Sequence, residues 1–229
     1  MNEAPVIAFE DAALELALAG LDHLELEAAM EAGALWLVEA ETPAHERALI
    51  DAALGLRRPL EGRVRFRDHD WAATPFAFRE ALRGRCGLIA REVGLVPHAS
   101  MAENILAPAR YHRLAPDRDL TAEAAVAARR FGLPGLPVGG VEEESSADAL
   151  RAACVRAFMG APLFVAVESR PRPWLGELIA PLVDAMLEVC ERGGAVLWSV
   201  VDDPLFDDLA LPATARFRLR GRHLARVAR

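Results

Sequence analysis

The first part of the chain alternates apolar and polar residues at every second position. The segments Val6–Glu10, Ala12–Leu18 and Leu21–Glu27 follow this period, with Leu24 and Leu26 on one face. Alternation of this kind is typical of half-buried strands, so an antiparallel β part is predicted at the start. A continuous apolar run, Ala34–Val38, then follows Gly33 and predicts a strand buried on both faces.

A helix is predicted directly after that strand. Thr42 fits the N-cap, Pro43 fits the first helical position, and Gly55 fits the C-terminal end. Leu49, Ile50, Ala53 and Leu54 recur at helical spacing between them. A buried strand, a tight loop and a helix form the opening unit of a parallel α/β sheet.

The rest of the chain predicts further strands and helices. Helical patterns are expected from Phe78–Leu82, from Met101 to about Gly140, and over Asp148–Met159 and Trp174–Cys190. Strands are expected over Arg63–Arg67, Cys86–Ala90, Leu163–Val167 and Ala195–Val201, with a closing hairpin of Arg216–Arg220 and His223–Val227 across Gly221. We therefore predict one mixed α/β domain over 1–229 with an inserted helical subdomain at about 95–160.

Composition and charge exclude several classes of function. The net charge is −8, which disfavours nucleic acid as a partner. All 26 basic residues are arginines, so mechanisms that need Lys are excluded, and Gln is absent as well. Cys86, Cys154 and Cys190 lack the spacing of a zinc site or a disulfide framework. No uncharged apolar run reaches about 18 residues, and the N-terminus lacks the pattern of a secretory signal.

Four fragments together resemble the ATP-binding subunit of ABC transporters. They are Gly55–Gly62, Leu82–Ile89, Gly94–Ile105 and Arg156–Pro162, and with the order of elements the resemblance covers essentially the whole chain. It implies a P-loop-NTPase-like ABC ATPase fold. The run Pro108–His112 is similar to one in the lipid-transporting, MCE-associated branch of that family.

The segment that matches the family's P-loop lacks the chemistry of a phosphate site. A P-loop needs glycines, whose backbone N–H groups approach the phosphates, and a Lys that reaches the outer ones. Here no glycine is present, Pro43 removes a donor, and Glu46 takes the place of the Lys. The resemblance therefore implies a degenerate nucleotide site, with no cofactor and no metal. Its residues are Ala40, Glu41, Thr42, Pro43, His45, Glu46 and Arg47.

The family's other motifs are also lost. Arg91 stands at the Q-loop Gln, and only Ser145 of the segment 144–148 matches the signature motif. Val167 replaces the Walker B Asp, and Val201 replaces the switch His. Glu168 matches the family's catalytic Glu and is the residual catalytic candidate, although its own chain offers it neither metal nor phosphate.

In the family, the segment after the Q-loop receives a coupling helix from the membrane subunit. The residues at the matching positions are Arg91, Leu95, Val96, Pro97, Met101 and Ile105, which either bind a partner or pack the helical subdomain. The resemblance thus implies a non-hydrolysing subunit at the cytoplasmic face of the membrane, paired with itself or an active ATP-binding subunit and docked on a permease. Two alternatives stay open: an unorthodox ATPase half-site that uses Glu168 with a partner's P-loop, and a free-standing regulator.

Overall fold

The computed structural model describes residues 4–16, 23–143, 145–168 and 176–228, with the backbone alone at Glu143. The strands in this part of the chain are β1 (Ile7–Glu15), β2 (His23–Met30), β3 (Leu35–Ala40), β4 (Glu61–Phe66), β5 (His69–Asp70), β6 (Cys86–Ile89), β7 (Phe164–Val167), β8 (Ala195–Val200), β9 (Ala215–Arg220) and β10 (His223–Arg226). The α-helices there are α1 (Pro43–Ala53), α2 (Phe76–Arg83), α3 (Met101–Tyr111), α4 (Asp117–Arg130), α5 (Ser146–Phe158) and α6 (Ile179–Glu191). None of these helices is both long enough and apolar enough to cross a bilayer.

All ten strands join one sheet in the order β5-β4-β1-β2-β10-β9-β3-β8-β7-β6. Strands β9, β3, β8, β7 and β6 are parallel neighbours, and β1, β2, β4 and β5 pair antiparallel. The two halves meet where β10 pairs with β2 in parallel at His223 and Glu25. The predicted α/β class with an antiparallel β part at the start is therefore confirmed.

The N-terminal strand differs from its prediction. Val6–Glu10 and Ala12–Leu18 are not two strands, because Ile7–Glu15 forms one continuous strand that pairs with both β2 and β4. The register shifts between Phe9 and Ala12, where Asp11 has a φ of 47°. A bulge therefore takes up the break in the alternation that resembled a turn. Residues 17–22 of the predicted pattern lie outside the described part.

Helices cover both faces of the parallel strands. Helix α1 packs on one face over Trp36, Val38 and Leu197, and α3, α5 and α6 pack on the other face over Leu37, Val165 and Trp198. Strand β6 and helix α5 approach closely, since a Cβ at Gly87 would lie 2.0 Å from the carbonyl oxygen of Ala157. Burial on both faces explains why these strands read as continuous apolar runs.

Helix boundaries shift where proline, glycine or a cap ends the pattern. The helical region from Met101 onward is two helices, α3 and α4, and no α-helix continues past Arg130, where Pro134 and Pro137 follow. The helix expected over Trp174–Cys190 begins as a 3₁₀ turn at Gly176–Leu178 and continues as α6. Residues 174 and 175 lie outside the described part.

Candidate functional site

The predicted nucleotide positions meet at one edge of the sheet. Strands β3, β6 and β7 run parallel, so their carboxyl ends lie side by side. Glu168 follows β7, Arg91 comes two residues after β6, and α1 begins just after β3. In open α/β sheets ligands bind outside such carboxyl ends, so this is the place where a site is expected.

The connection from β3 to α1 is too short for a phosphate loop. The strand ends at Ala40 and the helix begins at Pro43, which leaves Glu41 and Thr42 between them. A P-loop places a six-residue glycine-rich segment before its Lys, and that segment wraps around the phosphates. In this chain the helix has already begun at Pro43, so it covers half of the six positions before Glu46.

Two N–H groups in the first turn of α1, those of His45 and Glu46, are already bonded. Thr42 is the N-cap, as predicted, and its hydroxyl accepts from the backbone N–H of His45. The carbonyl oxygen of Thr42 accepts from the backbone N–H of Glu46, at 3.2 Å. Pro43 contributes no N–H group. These donors are therefore turned to the helix's own cap rather than to a ligand.

A buried histidine fastens this corner to the C-terminal hairpin. Nδ1 of His45 lies 2.7 Å from the Thr42 hydroxyl, and Nε2 lies 3.0 Å from the carbonyl oxygen of Gly221. Since a carbonyl only accepts, Nε2 carries the hydrogen in the neutral ring and the Thr42 hydroxyl donates to Nδ1. The backbone N–H of Gly221 in turn donates to Oε2 of Glu41, at 2.6 Å. His45 is thus a structural link and is not available as a nucleophile or ligand.

Charged side chains at the nucleotide positions pair with one another. Glu46, at the Lys position and 1% exposed, forms a short ion pair with the Arg91 guanidinium. Arg47 lies 2.9 Å from Oε1 of Glu168 and 2.9 Å from a carboxylate oxygen of Asp51. We call Glu46, Arg47, Asp51, Arg91 and Glu168 the ion-pair cluster. Asp51 was not singled out from the sequence, although its spacing of four from Arg47 suits a helical pair.

Both carboxylate oxygens of Glu168 are engaged. Oε1 accepts from the Arg47 guanidinium, and Oε2 accepts from the backbone N–H of Arg91 at 2.6 Å. Burial alone would lower the pKa of Arg47, but the carboxylates of Asp51 and Glu168 outweigh this and raise it. The guanidinium therefore stays charged, and Glu168 is held as its ion-pair partner.

A cleft of about 360 Å³ remains beside the ion-pair cluster. Pro43, Ala44, Glu46, Arg47, Ala90, Arg91, Glu92 and Glu168 line it. Three carboxylates and two guanidiniums face this space, and the guanidiniums are already paired. Among the described residues no group of three or more His, Cys, Asp or Glu side chains is arranged to hold a metal ion. The cleft therefore offers a triphosphate more repulsion than attraction.

The start of α5, which matches the signature helix, is capped by its own carboxylate. Ser145 accepts from the backbone N–H of Asp148 at 3.1 Å and donates to the Asp148 carboxylate at 2.8 Å. Hydrogen bonds from Arg151 and then from Ser145 lower the pKa of Asp148, so its negative charge stays at the helix N-terminus. A partner's phosphate would meet that charge at the end of the helix where anions otherwise bind.

The predicted partner segment divides into exposed and buried residues. Val96, 57% exposed, and Pro97 lie at the surface, and Leu95 and Arg91 are partly buried. Met101 and Ile105 are completely buried in the core. Direct partner contact through those two side chains therefore does not fit this structure. They pack the helical region, which is the other interpretation that the sequence allowed.

Two residues that the sequence reading did not select hold this segment in place. Asn104 accepts from the backbone N–H of Val96 at 2.6 Å and donates to the carbonyl oxygens of Val96 and Ser100. Arg156 donates to the carbonyl oxygens of Val93 and Gly94. Burial lowers the pKa of Arg156, because these partners are neutral. The rarity of Asn, which occurs only at positions 2 and 104, was the one available signal for Asn104.

ATP-binding cassettes are among the solved structures that match this fold. The chain matches the ATP-binding cassette MJ0796 in a post-hydrolysis state bound to ADP and Pi, with a TM-score of 0.78 and 14% identity, over 95% of this chain and 96% of that one. It matches the ATP-binding subunit of an ABC transporter with a TM-score of 0.81 and 16% identity, over 97% and 90%. It also matches CbiO1 from Clostridium perfringens, part of the ABC transporter complex cbiONQ, with a TM-score of 0.74 and 15% identity, over 97% and 87%.

No family model matches the chain, and no curated protein matches it in sequence. The chain therefore has the fold of an ABC ATP-binding cassette, with a sequence far from the solved examples. The ABC ATPase fold implied by the sequence resemblance is confirmed.

Proposed function

We propose that this chain is a non-hydrolysing member of the ABC ATP-binding subunits that serves a membrane transport complex as a structural or regulatory subunit. In this proposal residues 1–229 act as one domain, with a helical subdomain at about 95–160. The observation that carries the proposal is the ion-pair cluster. Its side chains occupy the positions of the P-loop Lys, the Q-loop Gln and the catalytic Glu, and they satisfy one another.

ATP hydrolysis in this fold depends on charged side chains that are available to the nucleotide. Phosphoryl transfer needs cations that neutralise the outer phosphates and a carboxylate that orients the attacking water. In this chain the cations are paired with buried carboxylates, and each carboxylate oxygen of Glu168 already accepts a hydrogen bond from the protein. This argues against the alternative in which Glu168 completes a half-site with a partner's P-loop.

We infer the protein partners of this chain from its fold and from the surface segment 91–97. Relatives in fold work as cassette dimers and as parts of transporter complexes. We propose that the surface of Arg91, Leu95, Val96 and Pro97 docks on a permease at the cytoplasmic face of the membrane, and that the chain pairs with itself or with an active subunit. The run Pro108–His112 suggests a lipid as the cargo.

Isothermal titration with Mg-ATP and with ATP alone tests the first part of this proposal. We expect no saturable heat up to millimolar nucleotide, with a hydrolysing ABC subunit measured in parallel as the positive control. Saturable binding would contradict the proposal. In that case ATPase activity of the assembled complex should be compared with and without Glu168→Gln, because a loss of activity would establish the half-site alternative.

Co-purification with ABC permeases from the source organism tests the docking surface. Val96→Glu places a charge on the exposed apolar contact and should abolish co-purification. Leu60→Glu is the matched control, because Leu60 is similarly exposed (61%) but lies between α1 and β4, outside the segment. Equal retention of both variants would remove the proposed surface, and absence of any permease complex with the unaltered chain would favour a free-standing regulator.

A further inference from the structure

A second cleft lies between α4 and α6, and no residue of the ion-pair cluster lines it. It has a volume of about 480 Å³, which is within the range of roughly 300–1,000 Å³ that small-molecule sites occupy. Its lining residues are Ala122, Glu123, Val126, Ala127, Arg130, Phe131, Phe158, Ala161, Ala185, Glu188 and Arg192. None of these residues takes part in the site described above.

The inside of this cleft is apolar and aromatic. The rings of Phe131 and Phe158 stack with centroids 5.8 Å apart and planes 24° from parallel. Val126 lines the same cleft and is 64% exposed. Small alanine side chains form the remaining walls and leave the space open. Such a surface gains free energy when an apolar body covers it.

The backbone at the end of the cleft is held in an uncommon conformation. Ala161 lines the cleft with a φ of 50°, a left-handed value that is strained for a non-glycine residue. The preceding amide, that of Gly160, donates to Oε1 of Glu123 at 2.8 Å, which ties this turn to α4. The Glu123 carboxylate is therefore already engaged within the cleft wall.

Two guanidiniums and two carboxylates lie among the lining residues of the cleft. Arg130 donates to Glu188 at 2.7 Å, and this ion pair spans the gap from α4 to α6. Arg192 approaches the same carboxylate oxygen only to 4.0 Å, which is beyond hydrogen-bond distance. A guanidinium offers five N–H donors, so the contacts with Glu188 leave donors of both arginines available to an anion.

We propose that the cleft between α4 and α6 binds a small amphiphile with an apolar body and a single anionic headgroup. The apolar body packs against Val126 and the Phe131–Phe158 pair, and the headgroup takes the donors of Arg192 and Arg130. The occupant bridges the helical region and the core helix α6, so it stiffens their relative position without any nucleotide.

Titration calorimetry with decanoate, and with decanol as its neutral counterpart, tests this site. We expect decanoate to bind with a stoichiometry of one and decanol to bind more weakly. Arg192→Met should weaken decanoate about fivefold and leave decanol unchanged, because only the headgroup contact is lost. If decanol binds as tightly as decanoate, the proposed preference for an anionic headgroup is wrong.

Two variants test the location. Val126→Glu should weaken decanoate by about tenfold or more, because it buries a like charge against the ligand. Ala122→Phe fills the cleft without adding charge and should weaken both ligands; residue 122 is exposed, so this variant folds. Val96→Glu is the control and should bind decanoate normally. Equal binding by all of these variants, or no saturable heat up to millimolar decanoate, would overturn the proposal.

Discussion

The cleft beside α1 and the cleft between α4 and α6 differ in how far their polar groups are already bonded within the chain. The one beside α1 is lined with charges, and four of them, Glu46, Arg47, Arg91 and Glu168, form ion pairs within the chain. The one between α4 and α6 is apolar inside, and donors at its mouth remain unused by the chain. The position of a cleft in the fold therefore does not by itself make it a ligand-binding site. A ligand also needs polar groups in the cleft that the chain has not already bonded.

Breaking the ion-pair cluster should have the largest effect. Arg91→Met leaves the buried Glu46 carboxylate without its guanidinium, and removal of one partner of a buried pair costs about 3–5 kcal/mol of unfolding free energy. Urea unfolding monitored by tryptophan fluorescence measures this loss.

Arg110→Met is the matched control for that loss. Arg110 and Arg91 have similarly exposed side chains, 41% and 38%, but the partner of Arg110, Asp117, faces solvent. Exposed pairs contribute little, so this variant should unfold close to the unaltered chain. An equal loss of unfolding free energy in the two variants would mean that the burial of Glu46 does not determine how much its ion pair contributes.

Replacing both members of the pair should recover most of the stability. Glu46→Leu with Arg91→Leu removes the buried charge and its partner together, and apolar replacement of a buried ion pair is often close to neutral. The double variant should therefore unfold at higher urea than either single variant. A double variant that loses the sum of the two single losses would show that the pair is not coupled.

A ligand for each cleft should change the thermal stability of the protein to a different extent. Decanoate at ten times its dissociation constant should stabilise the fold by about 1.4 kcal/mol, whereas millimolar Mg-ATP should leave the midpoint unchanged. Differential scanning calorimetry measures both in one series. A shift with Mg-ATP and none with decanoate would reverse the comparison.

The smallest effect concerns the ion pair that spans the second cleft. A hydrogen bond from Arg130 lowers the pKa of Glu188 below its ordinary 4.5. This contribution is complete above about pH 4.5 and is lost as the pH falls through the folded-state pKa. Arg130→Met should therefore cost about 0–1 kcal/mol at pH 7, and the difference should vanish in acid. A difference that persists unchanged at pH 3 would assign the loss to packing instead.

Local chemistry made much of the fold predictable. Buried strands were visible as apolar runs, and Thr42 and Pro43 marked the start of α1 because capping depends on neighbouring residues. The bulge at Asp11 was missed, since a one-residue insertion in an alternating pattern looks like a turn. Burial of Met101 and Ile105 was also undecided, because an apolar helix face suits a core as well as a partner.

The sequence by itself determined what this chain lacks: it has no Lys, no Gln and no glycine in the segment before α1, and these absences follow from residue identity alone. Only the tertiary structure decided what took their place. Glu46 meets Arg91 across 45 positions and Arg47 meets Glu168 across 121. Such pairs arise because parallel strands carry distant segments to the same edge of a sheet, and no local pattern records which segments will be neighbours.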